Sequence, residues 1–137
     1  MLKIKKYLVV FLTIVTLIIT FNFGQAFYTF AHPHQPTMHH VVLFNLKPET
    51  TEADVEKIID DGQQLLKQIP GVLEVDLGGK ALDQRDVHFK NYELALYVEF
   101  SQLADIEVYN PHEKHLEFIA LASPKLELVQ VLDFYGD

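Results

Sequence analysis

In the stretch Tyr109-Asn110-Pro111-His112-Glu113-Lys114-His115, a phenol and two imidazoles fall within seven residues. Imidazole titrates close to neutral pH, so such a group can carry proton transfer. Asn110 is a good helix N-cap and Pro111 suits the first helical position, which predicts a helix starting here. Glu113 then reaches the third helical position, where its carboxylate could return to the Asn110 amide as in a capping box. The positive end of the helix dipole opposes the imidazolium form of His112. His115 follows on the same face, with Ile119 and Ala122, and Tyr109 precedes the cap and points toward the same space. Taken alone, capping, packing and solvation explain most such clusters, and its spacing does not by itself single out chemistry.

The flanking elements must place these groups. His40–Leu46 reads as a strand apolar on both faces, with His40 sharing a face with Val42, Phe44 and Leu46. A helix starts at Thr51-Glu52-Ala53-Asp54 and carries an apolar stripe from Val55 through Ile58, Gly62, Leu66 and Ile69, until Pro70-Gly71 stops it. Val72–Lys80 is a second strand with Leu73, Val75 and Leu77 on one face, and Gly78-Gly79 predicts a bulge or a close approach. The segment 83–88 is a polar loop with His88 in water. Tyr92–Phe100 alternates cleanly, with Tyr92, Leu94, Leu96, Val98 and Phe100 together. Ser101 caps a short helix that breaks at Asn110-Pro111 and resumes through His115 to Ser123-Pro124. Leu126–Phe134 is the last strand, and its Asp133 needs water or a specific partner.

This order gives an α+β class: a ferredoxin-like βαββαβ chain with a four-stranded antiparallel sheet and both helices on one face. The other face would be left bare despite its apolar residues. A second copy is the simplest cover, so a homodimer forming an α/β barrel is expected.

Residues 1–31 read as a signal peptide or an N-terminal membrane anchor. Lys3, Lys5 and Lys6 precede an uncharged apolar run, 7–23, and small residues around Ala26 and Ala31 offer cleavage points. The lysines hold the start of the chain on the cytoplasmic side and send the rest across. Residues 32–38 form a Pro-containing tether, and 39–137 form the domain. The chain of 137 residues has formal net charge −8, with every Asp and Glu beyond residue 31. That balance excludes nucleic-acid binding and adhesion to an anionic membrane surface; any membrane contact falls to the N-terminal segment. With no Cys there is no disulfide framework or thiol chemistry. The histidines from His32 to His40 show no fixed ligand spacing, and no metal is expected.

His40-Val-Val-Leu-Phe, the Ile69-Pro70-Gly71-Val72 turn, the Tyr109-x-x-His112-x-x-His115 run and a closing strand ending in Asp133 together resemble the stress-responsive α/β-barrel (Dabb) family. The resemblance covers about residues 39–135. A plant polyketide cyclase of that family performs an intramolecular aldol condensation. The resemblance implies that His115 and Tyr109 are catalytic, with Asp133 holding the His115 tautomer and His40 beside the cavity. His115 would remove a proton next to a carbonyl and Tyr109 would stabilise the enolate oxygen. The expected ligand site comprises His40, Val42, Phe44, Leu94 and His112, around a small apolar or polyketide-like molecule. Here Pro precedes rather than follows the first His of the run, and Leu94 stands where the cyclase has a further histidine. A haem, found in some related dimeric barrels, would rest on available histidines alone, so no cofactor is expected. The function expected is an exported small-molecule binder or cofactor-independent lyase or cyclase; the alternative is a non-catalytic dimeric envelope or stress-response protein.

Overall fold

A computed structural model describes residues 36–136. The expected export segment and most of the tether lie outside the described residues. The elements run β1 (Met38–Leu46), α1 (Glu52–Leu66), β2 (Val72–Gly79), β3 (Leu94–Phe100), α2 (Asp105–Tyr109), α3 (Glu113–Ala122), a short 3-10 turn (Ser123–Lys125) and β4 (Leu126–Tyr135). The sheet is antiparallel with strand order β2-β3-β1-β4, the ferredoxin-like arrangement. No described helix is long and apolar enough to cross a membrane.

Period-two alternation builds the inner face. Met38, Val42 and Phe44 of β1, Leu94, Leu96, Val98 and Phe100 of β3, and Val75 and Leu77 of β2 are buried. Against them α1 lays Ile58 and Leu66, and α3 lays Phe118 and Ala122. Thr51 starts α1 as a full capping box with Asp54. Lys125 and the Thr51 cap hold the partly exposed Asp54 carboxyl at a pKa of about 2. It therefore supports the fold above the ordinary carboxylate range and loses that contribution only as pH falls toward 2.

Several local expectations change. Leu73 does not join Val75 and Leu77 inside; it is 58% exposed. The β2–β3 register shifts between Val72 and Glu74, which makes Leu73 the extra residue of a bulge. The bulge thus sits at Leu73, and Gly78-Gly79 has open space around it. Ser101 donates its hydroxyl to Asp105 and does not cap α2, whose N-cap is Ala104. Gly71 has φ +88°, the left-handed region that favours glycine, and its carbonyl accepts from Ser101 N–H. The ring of His88 turns back to accept from the Arg85 amide.

The outer face is as bare as expected. Leu128, Leu132 and Phe134 of β4 are exposed there. Their neighbour His39 stacks on Phe134 at 4.8 Å and bonds Thr37 and Tyr97.

Gly62 marks where α1 meets the sheet and α3. A Cβ there would lie 2.6 Å from Leu77 Cδ2 and 2.7 Å from Phe118 Cε2. Gly62→Ala is therefore expected to lower stability by about 1–3 kcal/mol through overpacking, despite alanine's better helix propensity. Urea unfolding of both proteins checks this; a more stable variant would contradict the packing.

Candidate functional site

An apolar cavity of about 350 Å³ opens between the inner sheet face and α3. Val42, Phe44, Leu96, Phe118, Ile119 and Val131 supply apolar wall, and His40, Tyr109, Asn110 and His115 supply the polar end. A larger and shallower depression of about 550 Å³ runs along β2, lined by Lys67, Glu74, Asp76 and Glu99. Among the described residues no group of His, Asp and Glu is disposed to hold a metal ion.

Tyr109 closes α2 and is 1% exposed. Its ring packs edge-on against Phe100 at 5.0 Å and lies 4.2 Å from the His115 ring. Its hydroxyl is buried and has no hydrogen-bond partner among the described residues. Burial pushes its pKa far above the usual phenol value, so it stays protonated and able to donate.

Each histidine is held in a definite tautomer by its partner. The His115 Nδ1–H donates to the Asn110 carbonyl at 3.0 Å, because a carbonyl can only accept, and this leaves Nε2 bare in the neutral ring. His40 Nδ1 lies 2.6 Å from Asp133 Oδ1; an ionised carboxylate likewise only accepts, so Nδ1 carries hydrogen. His112 has the opposite assignment: its Nδ1 accepts from Lys114 N–H at 3.1 Å. Burial lowers the His115 pKa from the ordinary 6.5, against the opposing Asn110 bond, and charge on His40 lowers it further. His115 also occupies the first turn of α3, where the helix dipole acts in the same direction.

The expected site is thus assembled only in part. His40, Val42, Phe44, Tyr109 and His115 converge on the cavity. His112 is not at the cavity wall: it caps α3 by its own ring, in place of the expected Asn110. Leu94 is buried in the core away from the cavity, and Leu96, on the same face of β3 and opposite Val42, lines it instead. Asp133 bonds His40 and not His115. The reason is register: His40 and Asp133 are direct partners across the β1–β4 ladder, the closest cross-strand relation there is. Asn110, absent from the expected site, orients His115 through its backbone, and no side-chain pattern signals a backbone acceptor.

Residues 38–135 match the stress responsive A/B barrel domain family. None of the curated proteins matches the chain. Among solved structures, a hydroxynitrile lyase from Passiflora edulis is similar at 21% identity and TM-score 0.66, covering 77% of this chain and 96% of that one. A Dabb family protein with a ferredoxin-like fold from Mesorhizobium loti is 24% identical at TM-score 0.60, with coverage of 73% and 96%. A dimeric ferredoxin-like protein of unknown function from Thermobifida fusca is 20% identical at TM-score 0.64, with coverage of 77% and 95%. With a matched span that takes in every strand from β1 to β4, the chain belongs to the stress responsive A/B barrel domain family.

Proposed function

We propose that this chain is an exported homodimer whose cavity binds a neutral carbonyl compound and enolises it. The observation that carries the reading is the Tyr109 hydroxyl, buried and unpartnered in an apolar cavity beside a bare imidazole nitrogen. An orphaned buried donor costs about 1–3 kcal/mol, and a ligand oxygen would satisfy it. Among the described residues no lysine or arginine lines the cavity to neutralise an anion, so a ketone or aldehyde fits better than a carboxylate.

In this scheme the carbonyl oxygen accepts from Tyr109. His115 Nε2 removes a proton from the adjacent carbon, and the C–H electron pair becomes the enolate, whose charge the phenol stabilises as it forms. The Asn110 carbonyl, rather than Asp133, keeps the His115 ring presented for this work. Attack of that enolate on a second carbonyl would give aldol-type ring closure. Export rests on residues 1–31 and the homodimer on the bare apolar outer face.

Benzylacetone in D2O is a direct probe, with exchange of its hydrogens beside the carbonyl read by NMR. His115→Ala is expected to slow exchange about 10²–10⁴-fold. Exchange unchanged in that variant would remove His115 as the base. Tyr109→Phe is expected to slow exchange about 10²-fold while leaving the unliganded fold as stable or up to about 1 kcal/mol more stable. A marked loss of stability would mean that the hydroxyl is already satisfied. Because the neutral ring is the active form and its pKa is lowered, exchange should hold as pH falls through 6.5 and decline only below it. A decline centred above 6.5 would refute the assignment.

Leu132→Asp on the outer face is expected to weaken self-association at least about tenfold, the equivalent of ~1.4 kcal/mol. Sedimentation of residues 32–137 checks this, and a monomeric parent domain would overturn the dimer.

A further inference from the structure

Enolisation uses one imidazole, yet the cavity holds two. His40 lines the same wall as Tyr109 and His115, with ring centroids 6.0 Å apart between His40 and Tyr109. Its Nδ1 is occupied by Asp133, which leaves Nε2 as the free ring nitrogen. The two imidazoles are also oriented by different kinds of group. His115 is tied to a neutral carbonyl, whereas His40 is tied to a carboxylate, which can balance the charge whenever that ring carries its second proton. The His40 side chain is 12% exposed and that of Asp133 48%, so this pair links the cavity to solvent.

We propose that His40, positioned by Asp133, is a second proton-transfer group of this cavity, and that His115 and His40 together shift a double bond in a neutral β,γ-unsaturated ketone. This rests on the enolisation reading above. His115 Nε2 takes the proton from the carbon between the carbonyl and the alkene. The released pair makes a dienolate whose oxygen accepts from Tyr109. His40 Nε2–H then gives its proton to the γ-carbon, the alkene pair forming that new C–H bond, and the product is the conjugated enone. One proton leaves carbon and one returns, so no oxidant or reductant is needed. Water at the half-exposed Asp133 end recharges His40, and His115 returns its proton to solvent.

The probe is 3-cyclohexenone, with conjugated-enone absorbance reporting isomerisation and NMR in D2O reporting exchange beside the carbonyl. The purified domain is expected to do both. His40→Ala should lower the ratio of isomerisation to exchange at least about tenfold, with added imidazole restoring part of it. Asp133→Asn, which keeps the side chain's shape and removes its charge, should lower kcat for isomerisation with KM unchanged. Exchange without isomerisation would overturn this inference and leave the enolisation reading intact. Absence of both would overturn the two together. An isomerisation-to-exchange ratio unchanged in His40→Ala would remove His40 from the step.

Discussion

The pairing of β1 with β4 is the constraint on which the rest of the site depends. It is antiparallel over nearly the whole of both strands, and its register sets His40 opposite Asp133, Val42 opposite Val131 and Phe44 opposite Val129. That one alignment decides which residues of the last strand face the helices. The inner set lines the cavity and carries the carboxylate; the outer set, Leu128, Leu132 and Phe134, forms the exposed apolar face. A slip of one residue would send Asp133 outward and put Leu132 against His40, removing the carboxylate partner and the cavity wall together. The polar end of the cavity and the bare apolar outer face are therefore two consequences of one ladder.

The other half of the site is set by how α3 begins. Pro111 has no amide hydrogen and cannot continue α2, so the chain must restart, and the His112 ring supplies the first acceptor for the new helix. This leaves the Asn110 carbonyl beyond the end of α2 with a free acceptor, and His115 three residues into α3 finds it. The break thus converts a helix end, normally an unsatisfied liability, into the group that orients the His115 imidazole. Tyr109, the last residue of α2, is carried inward by the same break, against Phe100 and the His115 ring.

Much of this was legible before any coordinates. The alternation Leu94, Leu96, Val98, Phe100 and the stripe through Ile58, Gly62 and Leu66 determine the inner layer, and the order of elements determines the topology. The Tyr109 and His115 convergence also follows from helical spacing once Pro111 is recognised as a break. Distances across the sheet were not legible. Asp133 had an evident need for a partner, but periodicity reports only the face on which a residue lies, not what sits opposite it. His112 failed for a different reason: an imidazole is an uncommon N-cap, and Asn110 looked the better one. Leu94 and Leu96 share a face, and only the depth of the cavity along β3 separates them. The bulge at Leu73 was hidden because an exposed leucine in the right phase of a strand looks identical to a buried one.

The electrostatics of the cavity sharpen its chemistry. The chain is acidic, with formal charge −8, yet the only carboxylate bonded to a cavity-lining side chain is Asp133 on His40 among the described residues. Two cationic rings in one apolar cavity would repel and both would be poorly solvated, so at most one is comfortable in the charged form. Burial is the main cause that lowers the His115 pKa, and the neighbouring His40 acts in the same direction. The two imidazoles differ in what orients them: a backbone carbonyl holds His115 and a carboxylate holds His40. The carboxylate partner of His40 is set by the β1–β4 register, which makes this difference a property of the fold.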